Sequence, residues 1–174
     1  VGTETIMSNK ILVTGASGFI GSNLVENLVE NGFQIVAFDR YNSNNDWGWL
    51  EHSKYKKHFE VILGDIRDFD SVSKAMKDCS AVFHLAALIG IPYSYISPLA
   101  YIRTNVEGTY NVLESARMLD LDQILVTSTS DSLRWTPASL SVTSSASSGC
   151  GMTNVRVHEP GVNPGMCSSH VGGR

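Results

Sequence analysis

Seven residues near the start of the chain have the types and spacing to hold an anion. Gly15-Ala16-Ser17-Gly18-Phe19-Ile20-Gly21 follows a short apolar run and opens an apolar-periodic stretch, so the glycines fall on a strand-to-helix turn. The chemistry such a turn offers is phosphate binding. Gly15 permits the tight turn, Gly18 lets the backbone approach a pyrophosphate, and Gly21 lets the helix pack closely on the strand. The helix N-terminus presents unpaired N–H groups and the positive end of its dipole. Eighteen positions past Gly21, Asp39 ends a second apolar run, where a carboxylate can accept both hydroxyls of an adenosine ribose. A negative charge there disfavours a 2′-phosphate, so NAD is expected over NADP. Arg40 is the contrary sign, because a guanidinium beside Asp39 can pair with that phosphate; covering the adenine face or facing solvent are its other uses. The plain alternative is a cluster of turn glycines with a strand-capping Asp. A methyl-donor-binding domain also carries an acid after its second strand, but the Gly-x-x-Gly-x-x-Gly spacing suits a pyrophosphate better.

The elements that must position these residues are legible as alternating strands and helices. Lys10 to Thr14, Gln34 to Asp39, Phe59 to Gly64, Ala81 to Leu85 and Gln123 to Thr127 read as buried strands. A helix is expected from Phe19, with Ile20, Leu24 and Leu28 on one face and Asn31-Gly32 as its stop. Asp68 reads as the N-cap of a helix running to about Lys77. Leu99, Ile102, Val106, Thr109, Leu113 and Ala116 step by three and four, which predicts one long helix with a single inward face. Strand–helix alternation implies an α/β fold: a Rossmann-type, doubly wound parallel sheet of about five strands, incomplete, with an irregular C-terminal tail.

Composition supports one folded domain and excludes some partners. The 174 residues are 43% hydrophobic and 17% charged, enough apolar surface for a core. A net charge of −4 and a pI near 5.7 give no reason to expect nucleic acid or an anionic membrane as partner. No apolar run reaches the ~18 residues of a transmembrane helix, and Val1 to Lys10 lacks the apolar core of a secretory signal. Cys79, Cys150 and Cys167 have no metal-site or redox-pair spacing, and no metal is expected; a cytoplasmic setting is. After Asp131 there is no Lys, Tyr, Phe or Ile, while Ser and Gly become dense. The chain therefore divides into a dinucleotide-binding domain over 8–131 and an aberrant or disordered tail over 132–174.

Further motifs give the reading a family. Gly64-Asp65-Ile66-Arg67-Asp68, His84-Leu85-Ala86-Ala87, Thr104-Asn105-Val106-Glu107-Gly108-Thr109 and Val126-Thr127-Ser128-Thr129-Ser130 follow the glycine turn in order. With that turn they resemble the extended short-chain dehydrogenase/reductases, the NAD-dependent nucleotide-sugar epimerases and 4,6-dehydratases, over about residues 8–131. The resemblance implies that Asp65 and Ile66 flank the adenine. It implies that Leu85, Ala86 and Ala87 run beside the pyrophosphate and nicotinamide ribose, and that Asn105 supports the active-site strand. Thr129 corresponds to the hydroxyl that bonds the sugar oxygen being oxidised, and Asp131 to an acid of the elimination step. His84 is read as structural. The expected partners are a nucleotide-sugar substrate and a second copy of the chain in a homodimer.

One part of the family pattern is missing. Its base is a tyrosine with a lysine four residues on, and no tyrosine of this chain has one. One added nucleotide in codons for the family's Glu-Val-Tyr-Gly reads as Asp131-Ser132-Leu133-Arg134, so the tail is read as a frame-shifted continuation. The expectation is a cofactor-binding half that is catalytically inactive as this chain, the alternative being a non-catalytic dinucleotide-binding module. An uncovered edge at the fifth strand is expected to leave it marginally stable.

Overall fold

A computed structural model describes residues 9–121 and 123–127, together with the backbone of the strands Val142–Thr143 and Met152–Val155. Apolar runs at the expected places pair as parallel strands: β1 (Lys10–Thr14), β2 (Gln34–Arg40), β3 (Phe59–Gly64), β4 (Ala81–His84) and β5 (Gln123–Thr127). Their order is β3-β2-β1-β4-β5, so the chain reverses direction across the sheet between β3 and β4. Val13 lies beside Ala37 on one side and Phe83 on the other, which places the carboxyl ends of β1, β2 and β4 together. A crevice for a ligand forms at such a reversal, outside the carboxyl ends of the strands.

The helices between these strands cover two faces. On one face α1 (Phe19–Glu30) packs Val25 and Leu28 on Ile11, Val13, Ile35 and Ala37, with Leu50 of the 3-10 turn Gly48–His52 beside them. On the other, α2 (Phe69–Met76) and the later helix α5 (Gly108–Met118) bury Val72, Met76, Val112 and Ala116 against Leu12, Val36, Phe38, Val82 and Ile124. The stop and start signals work as expected. Asn31 caps α1 and Gly32 follows at φ +83°, while the Asp68 carboxylate accepts from Asp70 N at the head of α2.

The structure corrects one expectation and extends another. The helix predicted from Leu99 to Ala116 is not one α-helix but α4 (Pro98–Tyr101), a π-helical segment (Ile102–Glu107) and α5, and a short helix α3 (Ile91–Ile96) precedes them. A π-turn adds a residue to the repeat, so positions spaced for one α-helical face are rotated apart. Gly108, Asn111, Val112, Ser115 and Ala116 face inward, whereas Leu99 and Val106 are 56% and 63% exposed and Ile102 is exposed as well. The sheet also continues past β5. Two antiparallel strands, β6 (Val142–Thr143) and β7 (Met152–Val155), extend the order to β5-β7-β6 where an irregular tail was expected. An edge strand's unpaired N–H and C=O groups favour such additions, and Val142, Thr143, Thr153 and Val155 are β-branched. The boundary between residues 131 and 132 lies outside the described residues.

Candidate functional site

The glycine turn is built as a cradle. Gly15 donates its N–H to Phe38 O at 2.9 Å, tying the turn to β2, and it lies directly under Ala86 of the chain leaving β4. Gly21 cannot be replaced without moving backbone, since a Cβ there would sit 2.2 Å from Gly15 O. Gly18 is the N-cap of α1, and the first turn of α1 carries no acidic side chain, so no acid of the helix itself offsets its positive end at the cradle. Phe19 and Ile20 are exposed at that end.

Asp39 stands where the sequence put it. Its Oδ2 accepts from Ser17 N at 2.6 Å and its Oδ1 from Arg40 N at 2.6 Å, so the carboxylate is locked against the third residue of the turn. Beside it opens a cavity of about 460 Å³ lined by Ser17, Asp39, Arg40, Tyr41, Asn42, Asn44, Asp46 and Gly48. Acceptors with few apolar walls suit a ribose and the edge of a base. A second, apolar cleft of about 400 Å³ runs along α1 between Phe19, Ile20 and Leu24 on one side and Phe83, Leu125 and Leu85 of the turn after β4 on the other.

The turn after β4 is held by a chain of hydrogen bonds that motif reading left aside. Thr14 Oγ1 accepts from Leu85 N (3.2 Å) and Ala86 N (3.3 Å), so its own proton goes to His84 Nδ1 at 2.7 Å. The imidazole then donates from Nε2 to Thr109 Oγ1 at 3.0 Å, and Thr109 donates to Asn105 O at 2.8 Å. The Thr14 link requires an unprotonated Nδ1 and hence a neutral ring, and burial holds the His84 pKa down to about 4. Asn105, inside the π-helical segment, clamps the same turn further on: its Oδ1 accepts from Leu88 N and its Nδ2 donates to Leu88 O, both at 2.8 Å. The structural reading of His84 is thus given content, and Thr14 and Thr109 join it.

Asp65 and Ile66 are placed differently from the other expected residues. Arg67 donates to both oxygens of Asp65, and this pairing, reinforced by the charge of Arg40, holds the Asp65 carboxyl below the ordinary carboxylate range. Ile66 turns inward and packs over Gly108, and its carbonyl accepts from Asn111 Nδ2 at 3.0 Å. Neither lines the cavity beside Asp39. Gly15, Ser17, Gly18, Gly21, Asp39, Arg40, Leu85, Ala86 and Asn105 are brought to one end of the sheet, with Ala87 exposed on the same turn. Thr129 and Asp131 lie outside the described residues; β5 ends two residues before Thr129. The segment 42–49 was the larger omission, its only signal being an Asn/Asp/Gly-rich stretch that reads as turn.

Among the described residues no group of His, Cys, Asp and Glu could hold a metal ion, and no helix is long and apolar enough to cross a membrane. Burial raises the Cys79 thiol to about 11, which leaves it protonated.

Comparison with known proteins agrees with this geometry. A "putative UDP-glucose 4-epimerase" of Methanocaldococcus jannaschii is 35% identical over 133 residues, covering 76% of this chain and 42% of that protein. UDP-glucose 4-epimerase of Mycolicibacterium smegmatis is 34% identical over 74% of this chain and 41% of its own length. This chain thus spans about two fifths of these relatives. Among solved structures, MoeE5 in complex with UDP-glucuronic acid and NAD superposes with a TM-score of 0.58 at 35% identity, over 69% of this chain and 36% of that one. UDP-glucose 4-epimerase of Thermotoga maritima, with UDP-glucose, gives 0.61 at 30% identity over 69% and 38%. The family description GDP-mannose 4,6 dehydratase matches residues 12–132, well over half the sequence, and the chain belongs to that family of short-chain dehydrogenase/reductase-type nucleotide-sugar epimerases and dehydratases.

Proposed function

We propose that this chain is the NAD-binding half of a nucleotide-sugar 4,6-dehydratase or epimerase, holding the cofactor without completing the reaction. The observation that carries the reading is the locked pair at the crevice: the Gly15–Gly21 cradle at the head of α1, with Asp39 fixed on Ser17 N beside an open polar cavity. In this reading the pyrophosphate takes the N–H groups at the head of α1. Asp39 accepts the ribose hydroxyls, and the Leu85–Ala87 turn, held by Thr14 and Asn105, lies along the rest of the dinucleotide. The bound nicotinamide supplies a hydride acceptor for a sugar carbon. NAD is favoured over NADP because the cavity's fixed carboxylate would face a 2′-phosphate. Thr129 would bond the sugar hydroxyl and Asp131 would serve the elimination.

Turnover is not expected of the chain itself, because no tyrosine in it is followed four residues later by lysine. That same fact supports a second reading, a dinucleotide-binding module without catalysis. Assay of turnover on UDP- and GDP-sugars separates the two from an active enzyme. A homodimer in the cytoplasm completes the proposal. Residues 132–174 are proposed to be a frame-shifted reading, and sequencing the coding DNA would exclude this if no family-like frame lies beneath them.

The test is calorimetric binding of NAD+ to the full chain and to Asp39→Ala. Binding by the parent, weakened about tenfold or more in the variant, is the expected result. A folded parent that binds no NAD+ would overturn the proposal.

A further inference from the structure

The segment after β2 is not a loose connection. Asn42 and Asp46 are bonded reciprocally: Asn42 Nδ2 donates to Asp46 O at 2.7 Å, and Asp46 N donates to Asn42 Oδ1 at 2.8 Å. Asp46 Oδ1 then accepts from Gly48 N at 2.7 Å. Gly48 sits at φ +55°, and a Cβ on it would come 2.8 Å from Ser17 O. Trp49 N donates to that same oxygen at 3.1 Å. Residues 42–49 therefore form a strap seated on Ser17 of the phosphate cradle, and the strap brings the Asp46 side chain into the wall of the cavity that Asp39 lines.

The charges around that cavity are unequal. Two carboxylates, Asp39 and Asp46, face it with one guanidinium, Arg40. Arg40 is drawn on from outside the cavity as well, since its charge also acts on Asp65. The two acids differ in employment. Asp39 spends one oxygen on Ser17 N and the other on Arg40 N, whereas Asp46 has one oxygen on Gly48 N and, among the described residues, no cationic partner. A carboxylate held this way is poised to repel a second anion more than to bind a hydroxyl.

Resting on the NAD reading above, we infer that Asp46 is a specificity-determining residue: the strap fixes a second carboxylate at the ribose cavity, which selects a dinucleotide with a free 2′-hydroxyl over one with a 2′-phosphate. Asp39 alone does not account for the preference, because Arg40 offsets it. With Asp46 neutral, the cavity holds one acid against one base and the preference weakens.

The experiment is calorimetric titration of the full chain and of Asp46→Asn with NAD+ and with NADP+. Asn keeps the oxygen that accepts from Gly48 N, so the strap retains its geometry while losing the charge. The expected result is a ratio of NADP+ to NAD+ dissociation constants that falls about three- to tenfold in the variant, the scale of one partly screened charge. Raising the salt from about 0.05 to 0.5 M should narrow the ratio in the parent and narrow it less in the variant, because the screened charge is gone. An unchanged ratio with NAD+ still bound would overturn the role of Asp46 and leave the cofactor reading standing. Equal salt dependence in the two proteins would overturn it as well. A folded parent that binds neither dinucleotide would remove the cofactor reading and the inference together. Should Asp46→Asn fail to fold, the parent's salt series alone decides: a ratio that does not narrow with salt rejects an electrostatic selector.

Discussion

The two faces of the sheet are built to different standards. The face under α2 and α5 has a continuous core from β3 to β5: Phe38, Met76, Val82, Val112 and Ala116 are all but sealed, and Ile124 carries the core onto the last parallel strand. The face under α1 is sealed only over β1 and β2. There Phe83, Leu85 and Leu125 line an open cleft with α1 along one side and, among the described residues, no second helix to close it. Right-handed crossovers explain the difference. The moves from β1 to β2 and on to β3 run one way across the sheet and put α1 and the 3-10 turn on one face. The moves from β3 to β4 to β5 run the other way and put α2 and α5 on the opposite face. A β4–β5 surface on the α1 side therefore receives no cover from the connections between these five strands. The cofactor cradle sits on the less finished face and the hydrogen-bond relay through His84 on the finished one.

Truncating one residue on each face is the strongest way to break this comparison. Met76, the last residue of α2, is fully buried against the sheet, so Met76→Ala should cost about 3 kcal/mol in urea unfolding, cavity included. Phe83→Ala removes a larger side chain from the open face and should cost only about 1–2 kcal/mol, since Phe83 is only partly buried and lines the cleft. Equal losses would mean the open face is sealed by residues beyond those described.

The His84 relay tests the finished face by pH. The ring's pKa in the fold is lowered from 6.5 to about 4 by burial, so the neutral form is the one the fold favours. The corresponding stability is fully present above pH 6.5 and is lost as pH falls from there toward 4; the whole span is worth about 3 kcal/mol. Asp65, whose pKa is also lowered, by its bond to Arg67, adds loss of the same sign at more acid pH. Urea midpoints at pH 7 and 4.5 should differ strongly for the parent and much less for His84→Gln, whatever the variant's own stability at pH 7. An equal pH dependence in both would remove His84 as its source.

What the sequence disclosed follows from what each signal measures. The five parallel strands were legible because buried apolar runs have few alternative uses, and the cradle because glycine types at fixed spacing report backbone geometry directly. Asp39 was legible for the same reason, standing at a strand end at the expected distance. At Asp65-Ile66 the motif names positions only, and the inward turn of the Ile66 side chain over Gly108 is set by packing that no motif reports. The strap at 42–49 was invisible as a unit, since its bonds join Asn42 to Asp46 and Gly48 to Ser17, pairings that no periodicity reports. The helix before β5 failed in a third way: the three-four spacing is correct for an α-helix, and the chain departs from α-helical repeat at Ile102–Glu107.

A smaller effect lies inside the finished face. Ser115 is fully buried in α5, and its Oγ has no hydrogen-bond partner among the described residues. Removing that hydroxyl removes a desolvated group with little loss of packing, so Ser115→Ala should leave stability unchanged or raise it by up to about 1 kcal/mol. A clear loss of stability would show that the hydroxyl is bonded after all.

The smallest effect is the most pointed, because two readings of one helix differ on it. If Leu99, Ile102 and Val106 continued the inward stripe of Val112 and Ala116, Val106→Gln would bury an amide in the core and cost several kcal/mol. The π-helical segment turns Val106 outward to 63% exposure while Asn105, one residue earlier, stays on the Leu88 clamp. Val106→Gln should therefore shift the urea midpoint by no more than about 0.5 kcal/mol equivalent in dilute protein. Asn105→Ala, losing both bonds to Leu88, should cost more than its neighbour despite removing fewer apolar atoms. Reversal of that order would restore the single inward face and remove the rotation that sets this helix apart from the face it extends.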